Sequence, residues 1–127
     1  EPTSGLGATD TLVVMKACRT FASYKRTVVA VIHQPRYSVF TLFHEVTLLG
    51  KGGNLVFLGP TSVALDYFEA RGFVLPRNEN PADFFLDSIS GMVPHRSGKI
   101  LDPVILYSYW DEYETSGQKA IDEENFA

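Results

Sequence analysis

The reading of this chain turns on Thr27-Val28-Val29-Ala30-Val31-Ile32-His33-Gln34-Pro35. Residues 27–32 are apolar at successive positions and rich in β-branched side chains. A strand of that kind is buried on both faces, as in a parallel sheet covered by helices. The run stops at His33-Gln34-Pro35, whose proline cannot donate to a ladder. Ligands of open α/β sheets collect at the carboxyl ends of strands, so His33 stands where a phosphate or a water could be touched. The same position suits a histidine that only caps a strand end or bonds a nearby carbonyl.

On the N-terminal side, Leu12, Met15, Cys18 and Ala22 follow three- and four-residue spacing. A helix is predicted from Thr9 or Asp10 to about Arg26, with those two residues capping its first turn. The chain opens on a Pro/Ser/Gly turn, and from this we expect a preceding portion. On the other side, Val39, Phe40, Leu42 and Phe43 mark a short helix over 38–45. Two apolar runs, 46–49 and 55–58, flank Gly50-Lys51-Gly52-Gly53-Asn54 and predict an antiparallel hairpin. Thr61 or Ser62 opens a helix to about Arg71, with Gly72 as its left-handed stop. Asn80-Pro81 pairs an N-cap with a proline at the first helical position, and Gly91 closes that helix. Asp102-Pro103 repeats the device before the aromatic segment 104–113. Residues 92–101 look like linker, and the acidic end, 117–127, looks frayed.

Length bounds the chain to one domain. Apolar residues are 45% and charged residues 20% of the 127, which excludes a disordered tail or a collagen-like repeat. No uncharged apolar stretch reaches about 18 residues, so none spans a bilayer. The single cysteine, Cys18, cannot form an intramolecular disulfide. A net charge of −4 lacks the basic footprint of a nucleic-acid binder, so we expect no nucleic-acid partner. His33, His44, His95 and Cys18 lack zinc-ligand spacing, and no metal ligand is assigned. There is no G-x-S-x-G elbow and no G-x-x-x-x-G-K-[ST] loop.

Joint order says more than single residues. Glu1-Pro2-Thr3-Ser4-Gly5-Leu6-Gly7-Ala8 precedes TVVAVIHQP; then come Val39-Phe40, the Gly-Gly hairpin, Gly59-Pro60, Tyr67-Phe68-Glu69 and Asn80-Pro81-Ala82-Asp83-Phe84. This resembles the nucleotide-binding domain of ATP-binding cassette transporters, and most closely the G subfamily of white/brown-type half-transporters, from Glu1 to about Gly91. The resemblance implies an α/β fold: the C-terminal part of a P-loop NTPase sheet with a β-hairpin, followed by an α-helical extension. It divides the chain into 1–75 as the C-terminal portion of that domain, 76–92 as the subfamily's helical extension, and 93–127 as a linker and helix towards the membrane domain.

By the same resemblance, Glu1 matches the glutamate that orients the water attacking the γ-phosphate, and His33 the switch histidine that contacts that phosphate. Gln34 and Pro35 complete the switch loop. Ser4, Gly5, Leu6, Gly7 and Ala8 match the D-loop at the dimer interface. ATP and Mg2+ are the implied cofactors of the intact domain. The implied partners are a second nucleotide-binding domain, in a homo- or heterodimer, and the transmembrane domain of the same protein. The implied location is the cytosolic face of a membrane. The implied function is coupling of ATP binding and hydrolysis to transport of lipid-like or hydrophobic substrates, with these 127 residues inactive alone. The alternative is a non-catalytic cassette acting as a structural or regulatory partner, since Gly7 replaces the usual D-loop aspartate and gains φ > 0 freedom. Arg36 and His44 also depart from the subfamily's usual serine and aspartate. An aromatic helix over 104–113 would suit either a membrane interface or packing back on the cassette.

Overall fold

The computed structural model describes residues 1–125. The chain forms two compact units, Glu1–Phe43 and a second from His44 onward.

The first unit is built on α1 (Ala8–Ser23), with a short α2 (Tyr37–Phe40) packed on it. α1 starts directly after Gly7 with no side-chain cap, so the capping expected of Thr9 and Asp10 is not made. Asp10 instead lies within the first turn, where a carboxylate meets the positive end of the helix dipole. Arg19 donates to the Leu42 carbonyl, which ties the end of the unit to α1. Met15 is buried, whereas Val13 and Phe21 are exposed. An apolar groove of about 560 Å³ runs between Val14, Ala17, Cys18 and Phe21 of α1 and residues 27–29.

The expected buried strand is not there. Residues 27–32 join no ladder, and Val29 and Val31 are 89% and 64% exposed. Among the described residues there is one sheet, of two antiparallel strands. The α/β fold expected from the sequence, a P-loop NTPase sheet, is therefore corrected to an assembly of helices with one hairpin. The physical reason is that a parallel strand needs another strand to take up its N–H and C=O groups. No described segment supplies one, and intrinsic β-propensity does not substitute for it.

The second unit contains that hairpin. β1 (Glu45–Leu49) pairs with β2 (Leu55–Pro60), Val46 opposite Gly59 and Leu48 opposite Phe57. A 3-10 turn at Lys51–Gly53 joins them, and Gly50 N–H donates to Asn54 C=O at 2.7 Å. Gly52 and Gly53, at φ 74 and 78, meet the left-handed requirement of so tight a connection. The four helices that follow are α3 (Thr61–Ala70), α4 (Pro81–Ile89), α5 (Val104–Thr115) and α6 (Gln118–Asn125).

Their ends follow local chemistry unevenly. Asn80 Oδ1 accepts from Ala82 N–H at 3.3 Å with Pro81 at the first helical position, and Asp102 Oδ1 accepts from Val104 N–H at 3.0 Å. α3 has no side-chain cap at its start. Its far end is closed by Gly72 at φ 92 and by residues expected as linker. Arg96 donates from its backbone N–H to Gly72 C=O and from its guanidinium to Glu69 C=O, and His95 Nε2 lies 3.1 Å from Arg71 C=O. With Ser97 N–H donating to His95 Nδ1, the imidazole carries its proton on Nε2 and donates to that carbonyl. The acidic end is helical up to Asn125, and Tyr113 O–H donates to Asp122 at 2.9 Å. The last two residues of the expected frayed end lie outside the described residues.

The core of this unit is aromatic. Phe57, Phe68, Phe84, Phe85 and Trp110 are all buried. Edge-on pairs recur, with centroids 5.6 Å apart for Phe57–Trp110, 4.8 Å for Tyr67–Tyr113 and 6.1 Å for Phe68–Phe84. Such pairs add roughly 0.5–1.5 kcal/mol each beyond the area they bury. α5 packs on β2 through this cluster, burying Leu106, Trp110 and Tyr113.

Candidate functional site

The first unit brings together the two residues singled out for chemistry. His33 Nε2 lies 2.6 Å from Glu1 Oε1, although 32 positions separate them in sequence. The pairing is made by turns at both ends. Pro2 sits where its fixed φ favours a turn, and Ser4 N–H and Leu6 N–H reach back to the carbonyls of Glu1 and Thr3. The Ser4 hydroxyl then donates to Glu1 Oε2 at 2.7 Å. At the other end, Gln34 adopts φ 45, a left-handed conformation that costs a non-glycine residue roughly 1–2 kcal/mol. That bend turns the chain immediately after His33.

Both oxygens of the Glu1 carboxylate are thus engaged by different donors. The Ser4 hydrogen bond first, then the hydrogen bond and charge of His33, hold Glu1 below the usual carboxylate range. The ionised form is the one such donors stabilise. The pair is open to solvent, the His33 side chain 74% and the Glu1 side chain 46% exposed. Two lone-pair positions of the carboxylate remain for a water.

The other expected residues fall around this pair. Ser4 and Gly5 belong to the turns, with Gly5 at φ 76. Leu6 is exposed, Gly7 is the residue before α1, and Ala8 is its first. Gly7 has φ −68 and ψ 167, so the left-handed freedom expected of it is not used. Nothing lies within 4 Å of the Cβ that another residue would carry there. Gln34 and Pro35 follow His33 into α2. What the sequence alone did not give is the contact of Ser4 with Glu1. Its signal was local: a serine three residues after the acid, across a Pro-containing turn.

The fit of ATP and Mg2+ to these residues is uneven. Glu1 and His33 offer a water acceptor and a donor suited to a terminal phosphate oxygen. No described segment cradles the other phosphates or the base. Among the described residues no group of three or more His, Cys, Asp or Glu could hold a metal ion.

Comparison with known proteins covers about two thirds to three quarters of the chain. The family of ABC-2 type transporters matches residues 33–115. The chain belongs to the ABC-2 type transporter family. This match, too, overturns the P-loop NTPase fold class, since it is to ABC-2 transporters and spans the hairpin and the aromatic helices. Relatives of the chain are named as G-family or G-subfamily proteins. It is 44% identical over 93 residues to ABC transporter G family member 1 of Dictyostelium discoideum, covering 73% of this chain and 12% of that protein. It is 46% identical over 91 residues to the broad substrate specificity ATP-binding cassette transporter ABCG2 of Mus musculus, covering 72% and 14%. ATP-binding cassette sub-family G member 3 of Mus musculus is 41% identical over 91 residues. The chain thus spans 12–14% of the length of these relatives. None of its described helices is long and apolar enough to cross a membrane.

Proposed function

We propose that this chain is the C-terminal part of the nucleotide-binding domain of a G-subfamily transporter and works only within the intact protein. There, Glu1 orients the water that attacks the γ-phosphate of ATP, and His33 touches that phosphate. Phosphoryl transfer asks for positioned polar groups around spread negative charge and little covalent chemistry from the protein. The observation that carries the reading is the 2.6 Å contact between Glu1 and His33, since a water-orienting acid and a phosphate-contacting imidazole must share one site. Residues 4–8 would face a second nucleotide-binding domain, the intact chain would continue into a transmembrane domain, and this segment would lie on the cytosolic side. Hydrolysis would drive transport of lipid-like or hydrophobic substrates, with Mg2+ held by groups other than those described.

The test uses the intact transporter in lipid. Glu1→Gln and His33→Ala should each lower the ATP turnover by about a hundredfold or more, the scale of losing a positioned acid–base group, while the protein inserts and dimerises as before. Turnover within a few-fold of the parent in both variants would overturn the assignment and leave a non-catalytic role.

A further inference from the structure

Resting on the reading of Glu1 as the water-orienting carboxylate, we propose that Ser4 is its positioning residue. A glutamate side chain has three rotatable torsions, and a single hydrogen bond to His33 would leave the carboxylate free to swing about Oε1. A second donor on the other oxygen removes that freedom. Ser4 supplies it at 2.7 Å. Ser4 is the last residue of the turn closed by its own N–H on the Glu1 carbonyl. Pro2 holds the first bend of this turn, and Gly5 at φ 76 carries the chain away on the far side, towards α1.

The two clamps differ in origin, and this gives them different work. Ser4 is three residues from Glu1 and reaches it within one turn, so its contact does not depend on residues 27–35. His33 arrives from 32 residues away on the segment bent at Gln34, and its imidazole is the more exposed partner. When the imidazole turns to a phosphate oxygen, its bond to Oε1 is given up. Ser4 is then the residue that keeps the carboxylate plane in place, with Oε1 released towards the water. Positioning of this kind acts on the reacting geometry and not on nucleotide affinity. It is separate from any contact that residues 4–8 make across a dimer.

The experiment is steady-state ATP hydrolysis by the intact transporter in lipid, comparing Ser4→Ala, Ser4→Thr and Glu1→Gln. Ser4→Ala should lower kcat about tenfold or more, as expected for losing a hydrogen bond to a charged group, with KM for ATP within about twofold of the parent. Ser4→Thr, which keeps the hydroxyl, should restore most of kcat. Membrane insertion and dimerisation of each variant are checked alongside, so that a folding defect is recognised. An unchanged kcat in Ser4→Ala, a rise in KM alone, a change confined to cooperativity between the two sites, or no rescue by threonine would each overturn the proposal. Glu1→Gln separates the two levels. If it still hydrolyses ATP, the reading of Glu1 fails and the role of Ser4 with it. If it is inactive while Ser4→Ala is normal, only the role of Ser4 fails.

Discussion

In the unit from His44 onward, Phe68, Phe84 and Phe85 have no exposed surface at all, whereas in Glu1–Phe43 the valine at position 29 keeps 89% of its own. Both units are rich in apolar residues, so composition does not explain the contrast. The second unit finds its apolar partners among elements that follow one another closely: a hairpin and helices whose aromatic rings meet edge to edge. The first has one long helix and an apolar run that only a strand ladder could bury. Apolar side chains gather into a core where their backbones are also satisfied; in the first unit this holds for Met15, Val39 and Phe40 on its helices and not for residues 28–31.

The sharpest way to break this contrast is to remove a ring. Phe85→Ala should destabilise the chain by about 3–5 kcal/mol in urea unfolding, whereas Val29→Ala should change it by less than about 0.5 kcal/mol. Equal losses would mean that residues 27–32 are packed after all. Next in size is Gly72→Ala, which forces a side chain into a left-handed conformation costing about 1–2 kcal/mol and drives its Cβ into the His95 imidazole. A double-mutant cycle with His95→Ala should show a favourable coupling, because the collision disappears while the backbone cost stays.

A smaller effect has the opposite sign. The Tyr67 hydroxyl is buried without a hydrogen-bond partner, so Tyr67→Phe should leave stability unchanged or raise it by up to about 1 kcal/mol. The guanidinium of Arg71, 3.8 Å above that ring, keeps its aromatic face. Alkali sharpens the same point. Burial pushes Tyr67 up to about 12, and burial followed by the hydrogen bond to Asp122 moves Tyr113 in the same direction. Unfolded tyrosines ionise near 10, so above that pH the folded state holds more protons than the unfolded one. Stability of the second unit should therefore fall as pH rises from about 10 to about 12, and less steeply in Tyr67→Phe. Phenolate absorbance and circular dichroism followed together would check it.

What could be read from the sequence was what local chemistry decides. Asn80-Pro81 starts α4 because a side-chain acceptor and a missing N–H act within one turn. The glycines at 52, 53, 72 and 91 stand at positive φ, as turn and helix-end chemistry requires. The failures are non-local. The run at 27–32 reads as a strand by composition, yet a strand exists only by pairing, and the pairing residues are not in the described chain. His95 looked like a linker residue because its partner, the Arg71 carbonyl, is 24 positions away. The acidic end looked frayed because Asp122 finds Tyr113 only once α5 is in place. The family resemblance singled out Glu1 and His33, and the structure sets them 2.6 Å apart. The grip of Ser4 on Glu1 required the turn to be seen closed.

The chain has one tryptophan, and it lies at the centre of the aromatic cluster, with its indole N–H unbonded and the Lys119 ammonium 4.9 Å above the ring. Light excited there and emitted from so dry a place is blue-shifted, and it shifts to the red when water enters. Glu1–Phe43 has no indole of its own. Emission excited selectively at the indole is thus a signal of the second unit, and a second indole would be needed to report directly on the surroundings of Glu1 and His33. The exposed ring of Phe21 in α1 is a natural position for that reporter.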